Sequence, residues 1–173
     1  MIQGVFDVLS RSALGQPQVV VHRDFHSRNL LCVRAGSVGV IDFQDAVIGP
    51  ITYDLVSLLR DCYVSWDMDQ VERWAITYAR TAADVGVLPD IDDTTFLRWF
   101  HLMGLQRHIK VLGVFARLSL RDGKHQYLDD LSLVIQYVRD VAARHSEFKA
   151  FTQWFDATLM PLIDGASWFS PSR

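Results

Sequence analysis

No lysine precedes Lys110 in this chain of 173 residues, and only Lys124 and Lys149 follow it. With 17 Lys and Arg against 20 Asp and Glu, the formal net charge is −3. That balance argues against the basic face that a phosphate backbone or an anionic membrane selects, so neither is expected as a partner. Cysteine is as scarce. Cys32 and Cys62 have no close-spaced partner and lie in apolar surroundings, and both are expected as buried free thiols in a reducing compartment. No apolar run approaches the span of a bilayer. The opening MIQGVFDVLSR lacks the basic start and cleavage site of a signal peptide. These absences together lead us to expect a cytoplasmic protein.

What is present is apolar matter for one ordinary domain. Half of the residues are hydrophobic, enough for a sizeable core and too many for wholesale disorder. Ile2, Val5, Phe6 and Leu9 have the spacing of a short helix over Ile2–Ser12. Gln18–Val21 is a β-type run. Leu30–Val33 and Val38–Ile41, joined by Arg34-Ala35-Gly36-Ser37, predict a hairpin, and Gly49-Pro50 predicts a turn. Helices follow. Thr52 is expected to cap one marked by Leu55, Leu58, Leu59 and Cys62. Asp67 starts a second, with Val71, Trp74, Ala75, Tyr78 and Ala82 as its stripe. Asp92 or Asp93 caps a long helix through Leu118, interrupted in character by Gly104 and Gly113. Leu128–Ala143 and Phe151–Leu162 complete the set. A tiny sheet followed by about five helices is an α+β order, not a βαβ repetition.

Between the first two β runs the chemistry is concentrated. His22, Arg23, Asp24, His26, Arg28 and Asn29 fall within the stretch 22–29, and Asp42 ends the next apolar run. Polar loops held by rigid flanks are where sites are usually built. Phosphoryl transfer needs a carboxylate near an acceptor hydroxyl and a divalent metal at the phosphates. Asp24 can meet the hydroxyl, and the hairpin can return Asp42 beside Asn29, giving oxygen ligands suited to Mg²⁺. His22 reads as a structural residue bonded to backbone near Asp42. His26 either orients the loop or approaches the acceptor. Arg23 and Arg28 are solvated or offset the acids. Gln44 and Asp45 either read acceptor hydroxyls at the cleft mouth or cap a turn. Asp54 either caps its helix or ties the helix start to the loop. On the long helix, Gln106, Arg107 and Lys110 form a polar edge whose ordinary reading is a solvated face. A competing chemistry is a metallohydrolase using His22, Asp24 and His26 in alternation, although no paired histidine motif supports it.

HisArgAspPheHisSerArgAsn at 22–29, IleAspPheGlnAsp at 41–45 and GlyProIleThrTyrAspLeu at 49–55 resemble the aminoglycoside phosphotransferase and choline kinase superfamily. These enzymes are relatives of protein kinases. The resemblance implies Asp24 as the catalytic aspartate, Asn29 and Asp42 as metal ligands, Mg²⁺ as cofactor and ATP as co-substrate. It implies His26 as the histidine common in this loop and Asp54 as a structural aspartate. Arg23 stands where the common loop has glycine, and Ser27-Arg28 where it has Pro-Gly. Further along, 102–118 and 121–128 resemble the bacterial cell-wall amino-sugar kinases, which phosphorylate the anomeric hydroxyl of N-acetylmuramate and N-acetylglucosamine. Arg107 or Lys110 would there meet the lactyl carboxylate of muramate.

The same resemblance implies a mainly helical C-terminal lobe over residues 1–173. Nothing before residue 19 resembles the N-terminal nucleotide-binding lobe, with its phosphate-covering loop and strand-borne lysine. The isolated chain is therefore expected to bind ATP poorly, and a surface left by the missing lobe is expected to favour a homo-oligomer. The expected partner is a small-molecule sugar or amino-alcohol. The alternatives are an aminoglycoside, choline or homoserine kinase of the same superfamily, and a non-catalytic kinase-like remnant or interaction module.

Overall fold

A computed structural model describes residues 1–34 and 36–170. The chain divides into two units, Arg11–Met103 and Met1–Ser10 with Gly104 onward. The elements in order are α1 (Ile2–Leu14), β1 (Gln18–Val21), β2 (Leu30–Arg34), β3 (Ser37–Val40), β4 (Val47–Pro50), α2 (Thr52–Leu59), α3 (Met68–Asp84), α4 (Asp93–Asp122), α5 (Leu131–Arg144), α6 (Lys149–Trp154) and α7 (Met160–Ile163). Helices dominate, with two small antiparallel ladders, as an α+β reading requires.

In the Arg11–Met103 unit, β2 and β3 form the expected hairpin, in register Leu30 to Val40 and Cys32 to Val38. Ala35, in its turn, lies outside the described residues. The hairpin stands with Leu31, Val33, Val38 and Val40 exposed. Cys32 is exposed with them and Cys62 is half-buried. The expectation of two buried thiols therefore fails at Cys32, because a two-stranded ladder covers neither of its own faces.

The second ladder was not foreseen. The Gly49-Pro50 pair is not a turn but the end of β4, which pairs with β1 from Gln18↔Pro50 to Val21↔Val47. Pro50 sits at the last rung, where a missing N–H is tolerated. Gly49 is needed there, since a Cβ would lie 2.8 Å from Val21 Cγ2.

Helix α2 begins at Thr52, whose hydroxyl donates to buried Gln16 Oε1 at 2.6 Å instead of capping. Asp67 caps α3 by accepting from Gln70 N, and Asp92 accepts from Thr95 N. The core gathers Ile51, Val56, Val71, Ala75, Phe96 and Phe100. Trp74 is not part of that stripe; it is 37% exposed and lies edge-on to Trp66.

In the other unit, α4 runs unbroken through Gly104 and Gly113. Helix α5 buries Leu131, Val134, Ile135 and Val138, as their spacing predicts. The last helix is divided: a π-helical turn over Phe155–Leu159 separates α6 from α7. Pro161 cannot donate to the carbonyl one turn back, which favours that change of register.

Candidate active site

Short elements present the polar loop. β1 delivers His22, and a 3₁₀ turn over Ser27–Asn29 leads directly into β2. The carboxylate of Asp54, in the first turn of α2, clamps the loop from below. It accepts His22 N at 2.6 Å and Arg23 N at 3.0 Å. His22 Nε2 lies 2.8 Å from Ile41 O, which ties the start of the loop to the segment before Asp42. Arg23 has φ of 78°, a left-handed conformation that costs a residue with a Cβ ~1–2 kcal/mol. Glycine in the common form of the loop avoids that cost.

Asn29 gathers the two acidic residues. Its Nδ2 donates to Asp24 O at 2.9 Å and lies 3.5 Å from Asp42 Oδ2. Its Oδ1 accepts no hydrogen bond among the described residues. The Asn29 carbonyl in turn accepts from Ile41 N at 3.1 Å. Asp42 also has positive φ, 66°, and its Oδ1 accepts from Gln44 Nε2 at 2.8 Å. Gln44 is thus engaged with Asp42. Asp45 is exposed, and its main-chain carbonyl lies 3.5 Å from Arg23 Nη1. The Asp24 side chain is exposed and makes no hydrogen bond or ion pair among the described residues, so it is free to meet a ligand.

His26 and Arg28 of the loop turn toward Tyr63. The guanidinium of exposed Arg28 sits 3.3 Å from the centre of the Tyr63 ring in a cation–π stack. His26 meets the same ring edge-on at 6.0 Å, and its Nδ1 is buried without a partner. Burial first, then the neighbouring Cys62, pushes the Tyr63 phenol up to about 12, against the pull of Arg28. Arg107 and Lys110 lie on the part of α4 that belongs to the other unit, Arg107 half-buried and Lys110 exposed. The loop unit itself brings together Asp24, Asn29, Asp42 and Gln44, with Asp54 and His22 as supports.

These oxygens suit a hard divalent cation. Asn29 Oδ1 and the Asp42 carboxylate are two oxygen donors that could hold such a cation. His22, Asp24 and His26 do not form a zinc nest. Among the described residues no three His, Cys, Asp or Glu side chains are placed to hold a metal. Buried Asp61, which accepts from Ser27 of the loop, and exposed Trp66 were not singled out from the sequence, where Arg60 and Asp61 are the two charged residues inside LeuLeuArgAspCysTyrValSerTrp at 58–66.

No helix among the described residues is long and apolar enough to cross a membrane. An N-acetylmuramate/N-acetylglucosamine kinase of Neisseria meningitidis serogroup B is 48% identical over 146 residues, covering 84% of this chain and 43% of the relative. Its namesake from Pseudomonas putida is 45% identical over 145 residues, covering 84% and 42%. The Caulobacter vibrioides protein of the same name is 35% identical over 146 residues, covering 80% and 37%. The chain therefore spans less than half the length of these relatives. The sequence profile of the phosphotransferase enzyme family matches residues 1–100, which takes in the whole polar loop, its Asp54 clamp and the Asp42 turn, and the chain belongs to that family.

Proposed function

We propose that this chain supplies the acceptor and metal half of an ATP-dependent sugar kinase acting on the anomeric hydroxyl of N-acetylmuramate or N-acetylglucosamine. One observation carries the reading. Asp24 is left unpaired at the surface while its own carbonyl, Asn29 and Asp42 are linked into one cluster. That leaves a base free beside a pair of oxygen ligands. The names of the relatives supply the substrate class.

In the reaction Asp24 orients the sugar hydroxyl and takes its proton as the oxygen attacks the γ-phosphorus in line, the bond from that phosphorus to the β,γ-bridging oxygen breaks, and ADP leaves. Asn29 and Asp42 would hold Mg²⁺, which neutralises charge on the phosphates. Gln44 fixes the Asp42 carboxylate, and Asp54 fixes the backbone that carries Asp24. The nucleotide-covering lobe is proposed to belong to a protein of the relatives' length. The exposed apolar residues of the β2–β3 hairpin are a surface such a lobe would cover.

The test is ATP-dependent phosphorylation over a panel of N-acetylmuramate, N-acetylglucosamine, choline and kanamycin. It is run on the 173-residue chain and on a protein of the relatives' length. Activity on the amino sugars in the longer protein is expected, with Asp24→Asn cutting kcat by at least a hundredfold and KM changing little. Unchanged turnover in that variant, or activity confined to choline or kanamycin, refutes the assignment.

A further inference from the structure

Ser27, on the turn that follows Asp24, is also a wall of a pocket of about 260 Å³. Its other walls include Leu58, Val64, Asp61 and the indole rings of Trp66 and Trp74. The Asp61 residue is only 8% exposed, yet its carboxylate has one hydrogen bond, a long one from Ser27 Oγ at 3.5 Å. An ionised carboxylate can accept about four hydrogen bonds. The rest of that capacity is left for water or for a hydroxyl-bearing ligand. The two indoles are the opposite case. They stand edge to face at 5.3 Å and remain 46% and 37% exposed, so their apolar area is kept out of the core.

We propose that this pocket takes the acceptor sugar, a single neutral hexosamine ring, with Asp61 accepting from its hydroxyls and Trp66 and Trp74 packing on its C–H face. The inference rests on the phosphotransfer reading above and names the acceptor subsite of that reaction. Three features select this ligand class. A carboxylate beside aromatic rings recognises either hydroxyls or a cation. Here a single carboxylate lines the pocket, and not the cluster of acids that a cationic amine would favour. The volume lies below the roughly 300–1,000 Å³ of sites for drug-sized ligands, which suits one ring and not an oligosaccharide. Ser27 joins the pocket to the loop that carries Asp24.

The experiment is titration of the 173-residue chain with N-acetylglucosamine, followed by tryptophan emission and by calorimetry, with choline chloride as the cationic probe. A saturable signal is expected with the sugar and none with choline. Trp66→Ala should weaken binding at least fivefold and Asp61→Asn at least tenfold. Trp66 is exposed, so its variant reads the pocket even if Asp61→Asn fails to fold. Absence of saturable sugar binding, choline binding in its place, or a Trp66→Ala affinity equal to that of the parent overturns the proposal. Sugar binding with this dependence but without phosphorylation by the longer protein keeps the pocket and removes the phosphotransfer reading. Phosphorylation whose KM ignores Trp66 and Asp61 does the reverse.

Discussion

Replacing Asp54 should cost the chain several degrees of thermal stability, because Asp54 holds the loop by its backbone amides. Its carboxylate accepts the amides of His22 and Arg23 at 2.6 and 3.0 Å. Hydrogen bonds to a charged acceptor contribute about 1.5–3 kcal/mol each. Arg23 is exposed and Asp54 half-buried, so water recovers part of the loss. A net cost of ~2–3 kcal/mol for Asp54→Ala is the consequence. At about 2–4 °C per kcal/mol for a chain of this size, Tm falls by ~5–10 °C. Asp54→Asn keeps one acceptor oxygen and should lose about half as much. Arg23→Gly tests the same clamp from the other side. Glycine adopts φ of 78° without penalty, so the variant should gain ~1 kcal/mol and suffer less from loss of Asp54. Scanning calorimetry reads the stabilities, and hydrogen exchange at the His22 and Arg23 amides locates the change. A Tm for Asp54→Ala within one degree of the parent, roughly the spread of replicate scans, refutes the clamp.

Other consequences are narrower. Thr52→Val removes the hydroxyl that donates to Gln16 Oε1 at 2.6 Å and leaves a buried amide under-paired, so denaturant unfolding should show a loss of about 1–3 kcal/mol. Gly49→Ala pushes a methyl to 2.8 Å from Val21 Cγ2, for an expected cost of about 1–3 kcal/mol that Val21→Ala in the same chain partly returns. The Tyr63 phenol is pushed up to about 12 from 10.0, so the unfolded chain loses that proton first. Stability is unaffected by Tyr63 below the unfolded value and declines as pH rises from about 10 toward 12. Melting curves across that window should be flatter for Tyr63→Phe than for the parent.

The polar loop was legible because its chemistry is contiguous. His22 to Asn29 forms one stretch, and a single hairpin returns Asp42 to Asn29. Helix α5 was legible because Leu131, Val134, Ile135 and Val138 repeat at helical spacing and one face is buried. The β1–β4 ladder was hidden by local punctuation, since Gly-Pro reads as a turn unless the partner strand is known. Its pairing joins residues about thirty positions apart, which no local pattern encodes. Trp74 misled for a related reason. Its position fits the α3 stripe, but whether an aromatic at such a position points into the core depends on what the neighbouring segment offers, and here that is Trp66.

Backbone strain ties these observations together. Among the described residues, Arg23 and Asp42 are the non-glycine residues with positive φ. One adjoins Asp24 and the other is itself a proposed metal ligand. Aspartate visits this region with little difficulty, but arginine does not. A surface turn selected for folding alone would place glycine or asparagine at residue 23. Each strained residue has its own restraint: Asp54 on the Arg23 amide, and Gln44 on the Asp42 carboxylate. A conformation that is both unfavourable locally and held by outside groups must be stabilised by the rest of the structure. Here that support converges on the few residues proposed to hold a proton and a metal, and this placement, more than any single hydrogen bond, distinguishes the loop from an ordinary polar turn.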